Sequence, residues 1–287
     1  MIAPDYIGFG YSAAPNAADF NYTFDNLATH VERLLFGVLG LKKFGIYVQD
    51  YGAPVGYRIA SKHAEAIEAI IVQNGNAYVE GIGGAFAPMK PFWADRNTET
   101  EKPVRGLLTL ETTTFQYTHG AKNPKQISPD NWTFDQIFLD RPGDDAIQLD
   151  LLHDYQSNVA FYDGWHEYFR TSQPRTLILW GKNDPFFTVE GAKAYQRDLP
   201  KAELHLLDTG HFALEERETS SLNESRHFLA EWWATRNRTE ASRFNYKKGN
   251  EYDCFLRTPR WFSFMAHGLM AAAGTGSFSL CCAKASK

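Results

Sequence analysis

The sequence predicts an α/β fold, a mostly parallel sheet carrying one long helical insertion. Three observations predict it. Short apolar runs alternate with stretches of helical spacing up to about residue 236. The segment from Asn74 to Ser172 interrupts that rhythm; it is rich in Trp, Tyr, Phe and Thr and shows no strand alternation. Polar residues with catalytic potential directly follow the apolar runs, where open parallel sheets place their reactive groups.

In order along the chain, Met1-Ile2-Ala3 reads as a strand already begun, which Pro4-Asp5 turns into a loop holding Gly8-Phe9-Gly10. Tyr22 to Leu39 repeats apolar residues at helical spacing through Phe24, Leu27, Val31, Leu34, Leu35 and Val38, and Gly40 closes it. Phe44 to Val48 is a buried-strand run. Pro54 then suits the first turn of a helix reaching about His63, because that turn loses little from a missing amide donor. Ile67 to Gln73 is the next strand. After the insertion come a strand at Thr176 to Trp180, a helix at Glu190 to Asp198, a strand at Ala202 to Leu207 and a helix at Ser221 to Ala234. The expected organisation is a core over 1–73, a helical insertion over 74–172, a second core part over 173–236 and a disordered tail over 237–287. No internal repeat is visible.

Composition narrows the function. The 287 residues suffice for a full core, and a formal charge of −5 without a basic stripe argues against a nucleic-acid partner. The apolar stretch from Phe262 to Cys282 is broken by His267 and dominated by Ala, Gly and Ser, so no membrane span is expected. No secretion signal precedes the first strand, and the cytosol is the expected compartment. The Asn-x-Ser/Thr sequences at Asn21, Asn131, Asn223 and Asn237 then read as chance matches. Cys254, Cys281 and Cys282 make neither a disulfide framework nor a zinc spacing, and the Asp144-Asp145 pair after Pro142-Gly143 reads as a solvated turn. No metal or cofactor is expected. The expected partner is a small-molecule substrate.

Three strand-end loops carry the chemistry. Asp50 follows Phe44–Val48 and precedes a helix, with Gly52 two residues on; Asp184 follows Thr176–Trp180; His211 follows Ala202–Leu207 behind Gly210. Singly, each has a plain structural explanation as a helix cap or a turn. Together, in the order nucleophile, acid, histidine, they make a candidate catalytic triad. Ser12 and Ser157 lie in no Gly-x-Ser-x-Gly turn, and Glu80 and Glu111, the alternative acids, follow no predicted strand.

Val48-Gln49-Asp50-Tyr51-Gly52-Ala53-Pro54 resembles the nucleophile elbow of haloalkane dehalogenases and epoxide hydrolases, families of the α/β-hydrolase fold. Ala3 to Ser12 is similar to the loop after their fourth strand. Trp180-Gly181-Lys182-Asn183-Asp184 and Gly210-His211-Phe212 resemble their acid and histidine loops. The resemblance covers Met1 to about Ala234. It implies that Asp50 attacks a substrate carbon to give a covalent alkyl-enzyme ester, and that His211, held by Asp184, activates the water that hydrolyses it. The amide of Tyr51 would donate to the oxyanion. Asn74–Ser172 would be the helical cap over the site.

The chain also departs from these families. Their first three strands, the third ending in a His-Gly-x-Pro loop, have no counterpart here, so the core is expected to show a gap beside Phe44–Val48 that the tail does not fill. Haloalkane dehalogenases usually carry Trp where Tyr51 stands. Asp154-Tyr155-Gln156-Ser157-Asn158 resembles the segment holding one of two epoxide-protonating cap tyrosines, which makes Tyr155 a candidate, while Phe92-Trp93 stands where the other should lie. Tyr155 equally fits helix packing with Leu152, Val159 and Tyr162. Trp93, Trp132 and Trp165 could line a pocket or pack on one another. The rival expectation is a non-catalytic remnant or a ligand-binding protein on the same fold.

Overall fold

In the computed structural model, which describes residues 2–216, Ser225, His227, Phe228 and 270–273, five strands form one sheet. They are β1 (Phe44–Gln49), β2 (Ile67–Gln73), β3 (Arg175–Gly181), β4 (Glu203–Leu207) and β5 (Met270–Ala273), in the order β4-β3-β2-β1-β5. The pairs β1–β2, β2–β3 and β3–β4 are parallel. Residues of β1 to β3 are almost all buried, which explains why they read as continuous apolar runs rather than as alternations.

Period-2 geometry divides these side chains between two faces. Phe44, Ile46, Val48, Ile70, Val72, Ile178 and Trp180 join the large core beneath the helices. Tyr47, Ala69, Ile71, Leu177 and Leu179 form a second cluster with Phe228.

The helix α1 (Phe24–Glu32) starts where the Thr23 hydroxyl accepts the Asn26 amide at 3.2 Å. It buries Phe24, Leu27, Ala28 and Val31, then loosens into a π-helical stretch over Arg33–Val38, so the helix expected to Leu39 has two parts. The helix α2 (Gly52–Lys62) follows β1 directly. Between β2 and β3 lie α3 (Met89–Ala94), α4 (Thr98–Arg105), α5 (Leu110–Thr118), α6 (Pro129–Leu139) and α7 (Asp144–Ser172). The 29 residues of α7 reach from the inserted helices into the core, where Trp165 and Phe169 pack on Tyr57 of α2. The helix α8 (Val189–Asp198) follows β3.

Two expectations about the ends of the chain need correction. Ile2 and Ala3 form no strand, Ile2 holding a single bridge, and Met1 lies outside the described residues. The tail was expected to stay outside the sheet, yet Met270–Ala273 pairs antiparallel with β1 from Phe44↔Ala273 to Tyr47↔Met270. Backbone ladders need no branched side chains, so an Ala-rich segment can cover a strand edge that apolar patterning would not assign to it. Of the helix expected over Ser221–Ala234, only Ser225, His227 and Phe228 are described, and they are helical. The three cysteines, Asn223 and Asn237 lie outside the described residues.

Candidate active site

The carboxyl ends of β1, β3 and β4 bring the three predicted residues together. Asp50 sits between β1 and α2 with φ +42, a left-handed conformation that costs a non-glycine residue about 1–2 kcal/mol. That turn lifts its side chain clear of the strand, and the Asp50 amide donates to the Asn74 carbonyl at 3.3 Å. His211 Nε2 lies 2.9 Å from Asp50 Oδ2, and His211 Nδ1 lies 2.7 Å from Asp184 Oδ2. Asp50, His211 and Asp184 are thus joined in series.

Close loop packing makes this arrangement possible. A Cβ on Gly181 would collide with the Gly210 carbonyl oxygen, so glycine lets the acid and histidine loops touch. Lys182 then donates to Leu207 O at 2.9 Å and Asn183 to Thr209 O at 3.1 Å. Four donors converge on the Asp184 carboxylate. The amides of Phe186 and Phe187 reach Oδ1 at 2.7 and 3.2 Å, and Asn74 Nδ2 joins His211 at Oδ2, at 2.7 Å.

Burial alone would pull the His211 imidazole down, but the Asp184 charge and its hydrogen bond, with those of Asp50, outweigh it and push the pKa up to about 10. The two flanking carboxylates thus favour the protonated form of His211.

A cavity of about 590 Å³ opens above Asp50. Its walls come from the loop around Phe9 and Tyr11, from Phe186 and Phe187, and from the inserted helices through Phe86, Met89, Leu152 and Phe138. Tyr51 and Tyr155 both line it, their rings 6.3 Å apart. Burial foremost raises both phenols well above the ordinary tyrosine value; the Asp50 charge adds to this at each, and neighbouring Tyr162 adds at Tyr155. Tyr155 also hydrogen-bonds Tyr162, whose hydroxyl accepts from Asn76 Nδ2 at 3.0 Å.

The predicted tryptophans lie elsewhere. Trp93 stacks behind Tyr155 at 6.1 Å and donates to Leu152 O at 2.8 Å, outside the cavity wall. Trp165 is buried in the core against Tyr57 and Tyr162 and does not line the cavity. Trp132 packs near Tyr117. The alternative acids are remote from His211 in their bonding: Glu80 pairs with Arg197 at 2.5 Å, and Glu111 is exposed. Ser12 donates to the Asp5 carbonyl and Ser157 accepts from Arg58, neither touching the histidine. Among the described residues no group of three or more His, Cys, Asp or Glu could hold a metal ion, and no helix is long and apolar enough to cross a membrane.

Asn74 is the site residue that motif reasoning missed. It is wholly buried, has φ +42, accepts the Gly181 amide at 2.8 Å and donates to Asp184. The signal was present in Gln73-Asn74-Gly75, polar residues closing an apolar strand run.

Known proteins resemble this chain along most of its length. A sequence profile of the alpha/beta hydrolase fold matches residues 1–218. An uncharacterized hydrolase of Saccharomyces cerevisiae is 35% identical over 235 residues, 80% of each chain. A haloalkane dehalogenase of Mycobacterium marinum is 40% identical over 78 residues, 26% of this chain and 25% of that one. In structure, a tyrosine-to-tryptophan mutant of a haloalkane dehalogenase from Agrobacterium tumefaciens superposes with a TM-score of 0.62 at 22% identity, covering 78% of each chain, a likeness of fold. With a profile match over 1–218 and a relative of 35% identity, this chain belongs to the alpha/beta hydrolase fold family and is a hydrolase of that superfamily, with haloalkane dehalogenases among its relatives.

Proposed function

We propose that the chain hydrolyses a small apolar substrate through an Asp50 ester, with residues 74–172 as the cap over the site. The observation that carries this reading is the carboxylate at a left-handed strand-to-helix elbow, 2.9 Å from an imidazole that is itself 2.7 Å from a second carboxylate. A carboxylate nucleophile suits attack at saturated carbon, where no tetrahedral oxyanion forms in the first step.

Between the two substrate classes suggested by the motifs, the cavity favours an epoxide. A halide leaves as an anion, whereas a ring-opened epoxide oxygen needs a proton. Tyr51 and Tyr155, both protonated and lining the cavity, are suited to donate it. Asp50 attacks a ring carbon, the C–O bond breaks, and the oxygen takes a tyrosine proton. Esterification removes the Asp50 charge, so the imidazolium loses one partner and passes its proton to the phenolate through solvent. Neutral His211 then deprotonates water, which adds to the Asp50 carbonyl carbon. The Tyr51 amide at the start of α2 stabilises the oxyanion. Collapse releases a diol and restores the Asp50 carboxylate, and the imidazolium keeps the proton taken from water. The second proton, from the hydroxyl of that intermediate, is lost to the departing alkoxide, so one epoxide and one water give one diol.

The haloalkane reading keeps its place because the short matches to haloalkane dehalogenases reach 40% identity. The test is ester trapping. His211→Gln should accumulate an adduct on the Asp50 peptide, seen by mass spectrometry after incubation with epoxides and haloalkanes separately. An epoxide adduct supports the preferred reading and a haloalkane adduct the second. Reversible binding with no adduct from a folded protein would instead mark a ligand-binding protein or a catalytically silent relative.

A further inference from the structure

We infer that Gln73, oriented by Tyr47, is a positioning residue for His211. The inference rests on the proposed role of His211 and concerns how its backbone is held. His211 lies in a stretch of bends and turns after β4, with no helix or strand of its own to fix it. Its side chain must nevertheless meet two carboxylates at once, at 2.9 and 2.7 Å. A small rotation of the backbone would lengthen one bond to shorten the other.

The His211 carbonyl is held from the far side of β3. Gln73 Nε2 donates to it at 2.8 Å, and Gln49 Nε2 reaches it at 3.3 Å. These are the last residues of β2 and β1, and they stand opposite each other in the parallel ladder. Gln73 is wholly buried and Gln49 is 3% exposed. Polar side chains so deep in the fold need partners, and these amides have found theirs on a loop two strands from Gln73 and three from Gln49.

The orientation of Gln73 follows from its neighbours. Nε2 faces two groups that can only accept, the His211 carbonyl and Asn74 Oδ1 at 3.1 Å. Oε1 therefore turns to Tyr47, whose hydroxyl donates to it at 2.9 Å. Tyr47 lies two residues before Gln49 on the same face of β1, diagonal to Gln73 across the ladder. Asn74 carries the network on: its Oδ1 also accepts the Gly181 amide, and its Nδ2 holds Asp184. One directed chain, Tyr47 to Gln73, thus branches to the His211 backbone and, through Asn74, to the Asp184 carboxylate. Apolar packing cannot supply this function, because packing sets position and leaves the rotation of a carbonyl free.

Gln73→Met removes both donors at similar size, and Tyr47→Phe removes only the oxygen that orients them. For Gln73→Met we expect kcat to fall about tenfold, with KM within about twofold, because misplacing a catalytic group slows chemistry more than binding. Tyr47→Phe should show the same pattern in smaller measure. The slowed step is ester hydrolysis, so the Asp50 ester should build up in the steady state. A second readout needs no turnover: the far-downfield proton resonance of His211 Nδ1–H, bonded to Asp184, should move upfield or broaden in both variants. Gln73→Met can fail to fold, and Tyr47→Phe then decides alone. Folded variants with parental kcat, ester level and resonance would overturn the inference, and so would a lowered melting temperature without change in those three. If the parent itself forms no ester, the proposed reaction fails, and the resonance still judges the positioning.

Discussion

Polar groups are held differently at the strand ends and along the inserted helices. At the strand ends, Gln73, Asn74 and His211 are wholly buried, and apart from the bond between Gln73 and its neighbour Asn74 the partners named above come from other strands or their loops. Along α4 the charged pairs are Lys102–Glu99, Arg105–Glu101 and Arg105–Asp145, with Arg105 nearly half exposed and Lys102 and Glu99 more so. Exposed pairs of this kind contribute about 0–1 kcal/mol each, and their geometry is free to change. The first region is built to keep atoms in place. The second can change its surface with little loss of stability.

The largest expected effect breaks the first region. Asp184→Asn should fold, since Asn fills nearly the same space, but turnover should drop about 10³- to 10⁴-fold. The imidazolium loses its compensating charge, and an amide in place of the carboxylate must turn its NH₂ either to the donors Asn74 Nδ2 and His211 Nδ1 or to the amides of Phe186 and Phe187. Stopped-flow measurement of ester formation and decay would check it. Activity within a few-fold of the parent would mean that another carboxylate orients the histidine.

The same division explains what was legible in the sequence. Strands β1 to β3 were, because buried parallel strands appear as unbroken apolar runs, β4 was in spite of its exposed Glu203 and Leu206, and Asp50, Asp184 and His211 were, because each follows a strand. Asn74 was not: its importance lies in bonds to β3 and to Asp184, which local pattern does not record. Nor was β5, whose Met-Ala-Ala-Ala run pairs through its backbone. In the inserted helices, aromatic residues are so frequent that composition cannot say which face the cavity. Tyr155 does, whereas Trp165, ten residues further along α7, is buried in the core.

A middle-sized effect tests where the two regions meet chemically. Tyr155→Phe should lower kcat on an epoxide about tenfold to hundredfold, with Tyr51 left as the second donor. Halide release from a haloalkane should change by no more than a few-fold, because no proton is needed there. Steady-state kinetics on a matched pair of substrates would separate the two. Equal loss on both would assign Tyr155 to packing against Tyr51, Phe86 and Phe24, which its ring contacts also allow.

The smallest effect concerns the seam between the regions and reads stability instead of rate. Glu215, four residues after His211, is half-buried and accepts from Asn131 Nδ2 of α6 at 2.5 Å. Burial, with the Asp135 charge adding to it, pushes its carboxyl from the ordinary 4.5 up to about 7. Asp135 in turn accepts from Tyr117 of α5 at 2.5 Å, and Tyr117 stacks on Phe212 at 4.0 Å, so the histidine loop and the inserted helices share this contact. Because the folded value is raised, the folded state keeps a proton that the unfolded chain loses between pH 4.5 and 7. The stabilisation is fully present below 4.5 and is lost as pH rises through about 7, where Glu215 must ionise beside Asp135. Glu215→Gln mimics the protonated form and still offers Asn131 an acceptor. Its melting temperature should equal the parent's below pH 4.5 and exceed it by a margin that grows through neutrality and then levels off. Parallel melting curves for the two proteins across that range would show that the seam carries no such charge, and that the inserted helices dock on the histidine loop through contacts such as the Tyr117–Phe212 stack and the Asn123 amide bonded to Glu216.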